Sequence, residues 1–219
     1  MNNYFDYEKD LVEIFISNYF KKNNIITIKE LPLRWGNIDI VGISNSKKMP
    51  FNYNQASILS KPANAKIFMK IKNTRPITKQ KIISEIGLSI NTVDNSIRQL
   101  LSSNLIYKDE KNNYFRNINF IFPKVKVLGY EAKLTDYNKA FYQSCLNKNY
   151  VDYSYMVFPF DIATKIKEKH YDMINANNIG LIGVTNNKVK ILIKAKQNSS
   201  IKSYIKLMAL VKTSETISN

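Results

Sequence analysis

Residues 77–116 carry the clearest structural pattern in the chain and read ITKQKIISEIGLSINTVDNSIRQLLSSNLIYKDEKNNYFR. Thr78 is placed to cap a helix whose apolar side includes Ile82 and Ile86. Gly87 suits the end of that helix, because the residue after a helix often adopts a positive φ that costs glycine nothing. The pattern therefore predicts a short amphipathic helix that is closed by a glycine turn.

A second helix is predicted directly after this turn. Either Ser89 or Asn91 can cap its N-terminus. Val93, Ile97 and Leu100 recur at helical spacing, so one stripe of the helix is expected to be buried while its polar side faces outward.

The segments on either side of these two helices complete a small module. Leu105–Tyr107 and Asn113–Phe115 flank a polar turn, which is typical of a β-hairpin. Residues 65–73 are predicted to form a helix in front of the other two. The order is then three helices followed by a hairpin.

This order resembles the winged helix-turn-helix modules of bacterial and archaeal regulators. The resemblance implies that the third helix enters the major groove of DNA and that the hairpin lies along the backbone or the minor groove. Asn and Gln can pair with adenine, Arg with guanine, and Lys with phosphates. The residues expected to contact DNA are Lys79, Lys81, Asn91, Thr92, Asn95, Arg98, Gln99, Lys111 and Arg116. A winged helix that binds only another protein is the alternative.

The charge distribution favours a polyanionic partner. The chain has a net charge of +16. Residues 1–60 contain seven basic and six acidic residues, residues 61–124 contain twelve and four, and residues 125–219 contain fourteen and seven. A general compositional bias toward lysine is the alternative explanation, but it would spread the excess evenly. The +8 of the middle segment therefore indicates nucleic acid.

The regions around this module predict a mixed α/β domain. Residues 4–22 have helical periodicity, and the β-branched, glycine-bounded run Gly36–Ile43 indicates a strand. Residues 44–64 show no sustained period and are interpreted as a linker, and the tail after Thr213 is expected to fray. Asn119–Lys133 is predicted to be rich in β-structure and Tyr153–Phe158 to form a buried strand. Helices are predicted over Asp136–Asn147 and 161–177, and Ile179–Val184 with Val189–Ile193 is predicted to form a hairpin.

Two motifs in these flanking regions place charge in apolar strands. Asp39 is the single carboxylate of Trp35–Gly42, and Glu131 and Lys133 end a second strand. Side chains alternate along a strand, so Glu131 and Lys133 share one face. Such a pair is costly to bury unless its charges are paired or bound to a metal.

This pattern resembles the restriction-endonuclease-like, or PD-(D/E)xK, nuclease superfamily. In that family an Asp on one strand and a Glu-x-Lys on its neighbour hold a divalent cation, and a helix follows. Asp39 matches the Asp, and Glu131 with Lys133 matches the pair. Gln143 lies in the following helix, as a Gln does in many members. Glu8 lies on the first helix, where many relatives carry an acid that can support a second cation.

The resemblance covers residues 1–43 and 119–195 and implies a mixed sheet flanked by helices. Two features depart from the family. Ile38 stands where the family has proline, and Asp39 lies about ninety residues from Glu131, where a short hairpin is usual. The winged helix would have to be inserted at the turn of that hairpin, which loop tips tolerate. The predicted domains are a nuclease-like domain of residues 1–60 and 119–219 and an inserted winged helix of residues 61–118.

The chemistry that the resemblance implies is metal-dependent hydrolysis of DNA. Asp39, Glu131 and the carbonyl of Ala132 offer hard oxygen ligands suited to Mg²⁺ or Mn²⁺. Lys133 is expected to orient water and to stabilise negative charge on the phosphate, and Gln143 to position a neighbouring group. Family members often act as homodimers, so a homodimer is expected on the same grounds.

Other interpretations of the flanking region remain open. Acid-x-Lys is common, and on its own it describes a surface ion pair. A degenerate nuclease-like domain used for dimerisation or ligand sensing would make the chain a DNA-binding regulator without enzymatic activity. A third alternative is a nuclease that acts on RNA. Cleavage of matched substrates with and without divalent cations separates the three.

The remaining sequence features point to a cytoplasmic protein. No run approaches the roughly 18 apolar residues of a membrane span, so no membrane partner is expected. The N-terminus lacks a basic-then-apolar leader. Cys145 is the only cysteine, which fits a reducing compartment, and the lone His170 has no second ligand for a zinc site.

Overall fold

The computed structural model describes residues 5–23, 25–33, 36–44, 49–122, 125–198 and 202–217, so Trp35 of the first motif lies outside the described residues. In chain order the elements are α1 (Glu8–Phe15), β1 (Ile26–Leu33), β2 (Gly36–Ser44), α2 (Tyr53–Leu59), α3 (Pro62–Lys70), α4 (Lys79–Ile86), α5 (Ile90–Ser102), β3 (Ile106–Lys108), β4 (Tyr114–Arg116), β5 (Lys126–Ala132), α6 (Tyr137–Asn147), β6 (Tyr153–Pro159), α7 (Phe160–Ala176), β7 (Gly180–Val184), β8 (Val189–Ile193) and α8 (Ser203–Ile217). Contacts divide the chain into two units, residues 1–46 with 124–201 and residues 47–123 with 202–219. Within the described residues, no helix combines the length and apolar character needed to cross a bilayer.

The first unit is built on a mixed six-stranded sheet, which confirms the predicted α/β class. Its strand order is β1-β2-β5-β6-β7-β8. The pairs β5–β6 and β6–β7 are parallel, and the other three pairs are antiparallel. α6 and α7 provide the crossovers that parallel neighbours require. Because residues 47–123 of the second unit separate β2 from β5 in the sequence, residues distant along the chain pair side by side.

Both faces of this sheet are covered by helices. Tyr155 and Val157 of β6 pack on the face that α1 covers, in a cluster with Leu11 and Phe15. The alternate residues Met156 and Phe158 pack on the opposite face, and the helices there are α6 and α7. Because side chains alternate between the two faces, the unit has three layers: α1, the sheet, and α6 with α7. The central strands of the sheet are therefore buried on both faces.

The second unit contains the elements predicted for residues 77–116. The Thr78 hydroxyl accepts a hydrogen bond from Lys81 N (3.3 Å), which starts α4 as expected. Ser89 rather than Asn91 caps α5, because its hydroxyl accepts from Thr92 N (3.2 Å). Gly87 has φ +64°, the left-handed conformation that explains why glycine ends α4.

The predicted linker over residues 44–64 is wrong in its described part. α2 begins at a capping box, in which Asn52 Oδ1 accepts from Gln55 N (2.9 Å) and Gln55 Oε1 accepts from Asn52 N (3.2 Å). These two reciprocal hydrogen bonds stabilise the first turn of α2, although the polar composition of the segment is typical of a loop. At the N-terminus, the helix predicted over residues 4–22 ends earlier, at Phe15, and a π-helical turn over Ile16–Phe20 follows.

The C-terminal segment belongs to the second unit, although residues 119–219 were predicted to complete the nuclease-like domain. α8 packs against α2 and α3. Its run Leu207–Val211 is buried at every position. Burial of five consecutive residues also explains why the segment forms a helix through Ile217 instead of fraying after Thr213.

Candidate functional site

The antiparallel pairing of β2 with β5 brings Asp39 and Glu131 to the same end of the two strands. The register ends at the pair Ile40 and Tyr130, and Asp39 and Glu131 are the residues directly beyond it. Ile40 and Tyr130 both pack on the α1 side. Strand alternation therefore directs Asp39 and Glu131 to the other face.

Lys133 draws three acidic side chains together. Its Nζ lies 3.3 Å from Asp39 Oδ2, 3.5 Å from Glu131 Oε1 and 3.4 Å from Glu8 Oε2. The same nitrogen donates to Ala132 O at 2.8 Å. We call Glu8, Asp39, Glu131 and Lys133 the acid–lysine cluster. The structure thus brings together four of the five residues for which a catalytic role was predicted.

Glu131 is the most deeply buried member of the cluster. Its side chain is fully inaccessible, and Oε1 has no hydrogen-bond partner although it lies close to Lys133. Burial, together with the negative charge and hydrogen bond of Asp39, raises the pKa of Glu131 to about 8, while Lys133 and Asn147 oppose the shift. The carboxyl group is therefore held in an environment that favours its neutral form.

The two charged groups nearest Glu131 have different exposures. Burial acts to lower the pKa of Lys133, but Asp39, Glu131 and Glu8 outweigh it, and the pKa is raised above its ordinary value. Lys133 is therefore protonated at neutral pH. The Asp39 side chain is 33% exposed, so the cluster has an accessible carboxylate.

Asn147, which the sequence reading missed, contacts the cluster in place of Gln143. Its Nδ2 donates to Glu131 Oε2 at 3.2 Å, and the residue is buried. Gln143 Oε1 is buried without a hydrogen-bond partner among the described residues. The two residues lie four apart on α6 and so share a helix face, which is the signal that could have identified Asn147.

A cation site would draw its ligands from the acid–lysine cluster. Within the described residues, no group of three or more His, Cys, Asp or Glu side chains has the arrangement of a metal site. Asp39 and Glu131 supply two carboxylates, and the Ala132 carbonyl supplies a third hard oxygen beside them. The Lys133 ammonium now lies among these oxygens, so a cation can bind there only if the Lys133 side chain moves away.

Most residues predicted to contact DNA are exposed. Asn91, Asn95 and Arg98 lie along the outer side of α5, and Lys81 and Lys111 are exposed as well. We call Asn91, Asn95 and Arg98 the α5 face. Two further predicted residues make contacts within the unit: Lys79 pairs with Asp94 at 2.6 Å, and the Thr92 hydroxyl bonds to that of Ser89 at 2.8 Å.

Two residues predicted to contact DNA are positioned differently. Gln99 Oε1 accepts from Lys61 Nζ (3.1 Å) and Asn64 Nδ2 (2.9 Å), so its amide connects α5 to α3. Arg116 is 6% exposed and donates to the carbonyls of Phe68 and Met69. Both predictions relied on polar residue type, which does not report burial, and neither side chain is on the outer side of the unit.

Comparisons of the chain with protein-family models, with curated proteins and with solved structures gave no match. The functional meaning of the acid–lysine cluster and of the α5 face therefore rests on the geometry described above.

Proposed function

We propose that this chain is a divalent-metal-dependent nuclease that cuts DNA at the acid–lysine cluster. The observation that carries the proposal is that Lys133 Nζ lies within 3.5 Å of both Asp39 and Glu131, which come from neighbouring strands. The proposal takes the first unit as a restriction-endonuclease-like domain. It takes residues 61–118 of the second unit as a winged helix-turn-helix inserted between β2 and β5.

The chemistry of the donor set fits a divalent cation. Glu131 Oε1 is buried without a hydrogen-bond partner, and the Asp39 carboxylate beside it contributes to a pKa of about 8. Two carboxyl groups this close repel when both are ionised, and a cation between them relieves that repulsion. Asp39, Glu131 and the Ala132 carbonyl would hold it. When bound, Mg²⁺ or Mn²⁺ supplies Lewis-acid polarisation of the phosphodiester and lowers the pKa of a water molecule.

The other members of the site act through charge and position. Lys133 retains its proton at neutral pH, so its ammonium can stabilise the negative charge that accumulates on the phosphate. Asn147 holds the Glu131 carboxylate by donating to Oε2, so Oε1, which lies 3.5 Å from Lys133 Nζ, is the oxygen that would bind a cation once Lys133 moves aside. Glu8 is half exposed on α1 and adds negative charge at the open side of the cluster.

The proposed role of the second unit is to dock the duplex. The α5 face presents two amides and a guanidinium, groups that read base edges in the major groove. Lys81 and Lys111 are exposed and can neutralise phosphates. The net charge of +8 over residues 61–124 supports this assignment, since nucleic-acid binding depends on such an excess.

Incubation of the purified full-length chain with plasmid and with linear duplexes, in Mg²⁺, Mn²⁺ or EDTA, tests the proposal. We expect cleavage with either cation and none in EDTA. Glu131→Gln preserves the shape of the side chain but removes the charge, so it should abolish cleavage. Glu168→Gln, at an exposed acid on α7, is the matched control and should cut normally.

If no cleavage is seen, Mn²⁺ binding distinguishes an unsuitable substrate from the absence of a metal site. The electron paramagnetic resonance signal of Mn²⁺ measures this binding. The wild-type chain and Glu168→Gln should bind Mn²⁺, whereas Asp39→Asn should bind it at least tenfold more weakly. Absence of both Mn²⁺ binding and cleavage would refute the proposal, as would equal cleavage by Glu131→Gln. Matched RNA and DNA duplexes then decide which polymer is cut.

One observation favours a second candidate function, a DNA-binding regulator without nuclease activity. Lys133 already pairs with Asp39, Glu131 and Glu8, so the cluster is partly neutralised by the chain itself. A degenerate nuclease-like domain would keep such a network for stability alone. This candidate predicts salt-sensitive DNA binding with neither Mn²⁺ binding nor cleavage.

A further inference from the structure

The second unit contains an open cleft of about 450 Å³ that is lined by cationic side chains. The loop before α4 and the segment after β4 form its walls. Its volume falls in the range of roughly 300–1,000 Å³ that is usual for small-molecule sites. The lining includes Lys72, Asn73, Arg75, Arg116, Asn119 and Phe120. We call it the cationic cleft.

Two of these cations converge on one oxygen atom. Lys72 Nζ and Arg116 Nη2 each donate to Met69 O at 3.1 Å. Their charges are therefore close together, and like charges repel. Burial is the main cause of the lowered pKa of Lys72, and the positive charges of Arg116 and Lys70 add to it. Burial also lowers the pKa of Arg116 to about 10.

Arg116 is held rigidly with part of its hydrogen-bonding capacity unused. Its Nε donates to Phe68 O at 2.9 Å, and its guanidinium carbon lies 4.7 Å from the centre of the Phe68 ring. A guanidinium has five N–H donors. Within the described residues no hydrogen bond engages its Nη1, so this side chain is a fixed cation with donors to spare.

The described part of the chain pairs no carboxylate with the cations of the cleft. Lys70, on the preceding helix, is ion-paired with Glu85, so the neighbouring acid is already engaged. None of the ion pairs among the described residues includes Lys72, Arg75 or Arg116. Met69 and Phe68 offer only carbonyl dipoles, which orient the cations without neutralising them. The missing partner is an anion.

The shape and donors of the cleft indicate a phosphate. Arginine binds phosphate oxygens through paired N–H donors, and a lysine adds a mobile charge. Asn73 donates its side-chain amide to Ile118 O (2.9 Å), which fixes one wall. Phe120 packs against Phe51, with ring centres 5.3 Å apart, and provides an apolar floor.

We infer that the cationic cleft binds a phosphate group, carried either by a nucleic-acid backbone or by a free phosphate compound. Arg116 pairs with Ile106 in the β3–β4 hairpin, whereas Lys108 and Tyr114 form the end that leads into the hairpin turn. The cleft therefore lies away from the tip of the hairpin that the proposed DNA interface uses. The cationic cleft shares no residue with the acid–lysine cluster, so the two proposals can be tested independently.

The test uses the double variant Lys72→Ala/Arg75→Ala in the full chain. Both side chains are exposed, so the fold should be retained, and circular dichroism checks this. Arg116 stays unchanged because it holds the end of α3. Lys167→Ala/Lys169→Ala, two exposed lysines of α7, removes the same charge elsewhere. The probes are pyrophosphate, titrated by calorimetry, and a short DNA duplex, titrated by fluorescence anisotropy across a range of salt concentrations.

We expect the double variant to bind at least one probe roughly tenfold more weakly than the control, the loss typical of one or two charge-assisted hydrogen bonds. Loss of pyrophosphate binding with unchanged DNA binding identifies a free phosphate compound as the ligand. A weaker DNA affinity with a salt dependence reduced by about one or two ions identifies the nucleic-acid backbone. If both probes bind the double variant and its control equally, the inference is wrong.

Discussion

The acid–lysine cluster and the cationic cleft are two groups of charged side chains, each with at least one buried member, and their charge balance is opposite. In the first unit, Lys133 Nζ contacts three carboxylates, so negative charge is in excess. In the second unit, Lys72 and Arg116 share the carbonyl of Met69, and positive charge is in excess. Both sites distribute charge in a way that a simple structural ion pair would not require.

This opposite charge balance underlies the two proposals, a cation for the first site and an anion for the second. Buried charge that is not balanced by the chain costs stability unless something else balances it. The excess of carboxylates around Lys133 fits a cation, and the excess of cations around Met69 O fits an anion.

Replacing Lys133 with methionine should have the largest effect. The change removes the ammonium and retains the length of the side chain. We expect DNA cleavage to slow by about 100- to 1,000-fold, because a charged stabiliser of the phosphate is lost. In EDTA, the unfolding free energy should fall by about 3 kcal/mol, because Asp39 and Glu8 lose the ammonium that pairs with them while Glu131 stays neutral. Single-turnover cleavage and urea denaturation measure the two effects.

Addition of Mg²⁺ distinguishes a functional from a structural role for Lys133. If the carboxylates form a cation site, Mg²⁺ should stabilise Lys133→Met more than the wild-type chain, since it replaces the missing charge. Lys190→Met, at an exposed lysine of β8, is the control and should change neither quantity. A variant that cleaves at the wild-type rate, or that gains nothing from Mg²⁺, contradicts the assignment.

Stability as a function of pH should show the unusual state of Glu131. Its pKa is about 8 in the folded chain and 4.5 ordinarily, so folding takes up a proton between these values. The contribution of the neutral carboxyl to stability is complete below pH 4.5 and is lost as the pH rises through 8. Glu131→Gln has no such loss. In EDTA at pH 9 it should be more stable than the wild-type chain by roughly 4 to 5 kcal/mol, the free-energy equivalent of the difference between 4.5 and about 8.

Urea denaturation at pH 5 and pH 9 measures this difference. The gap between variant and wild type should widen with pH, because only the wild-type chain then carries a buried negative charge. A gap that stays constant would mean that Glu131 is ionised throughout and that the surroundings do not favour its neutral form.

The sequence allowed the strands and the proximity of the two acids to be predicted, but by different means. The glycine-bounded, β-branched run that became β2 is a local signal. The approach of Asp39 and Glu131 to one Lys133 ammonium across about ninety residues is not local, and only the resemblance to a nuclease family suggested it. Local patterns report how a segment folds, whereas long-range pairing depends on a register that no single segment encodes.

Features that depend on burial were the ones missed. α8 has an apolar run that looks like an ordinary tail until α2 and α3 are placed beside it. Residue type alone placed Arg116 on the DNA interface, because it does not reveal that this side chain donates to the Phe68 and Met69 carbonyls and lines the cationic cleft instead. Asn147 was overlooked because the family pattern drew attention to Gln143, one helical turn earlier.

Asn147→Ala compared with Gln143→Ala tests how the buried acid is held. Asn147 donates to Glu131 Oε2, so its loss leaves a buried carboxyl oxygen without a partner, which costs about 2 kcal/mol. The affinity for Mn²⁺ should fall about tenfold, as it does when the support of a metal ligand is removed. Gln143 Oε1 has no partner to lose, so Gln143→Ala should cost less than about 1 kcal/mol.

Calorimetric Mn²⁺ titration and urea denaturation rank these two variants. A larger loss of Mn²⁺ affinity in Gln143→Ala than in Asn147→Ala would restore the role that the family resemblance assigned to Gln143. It would also mean that Asn147 serves only packing.

The smallest effect is expected from a pair of neighbours on α5, Arg98 and Gln99. Arg98 is exposed on the α5 face, so Arg98→Ala should weaken binding to a DNA duplex about tenfold and reduce its salt dependence by about one ion. Gln99→Ala should leave the salt dependence unchanged and cost about 1 kcal/mol of stability, because Lys61 and Asn64 lose their acceptor. Fluorescence anisotropy and thermal denaturation measure both variants. If the two variants weaken DNA binding equally, α5 does not present Arg98 to the duplex as proposed.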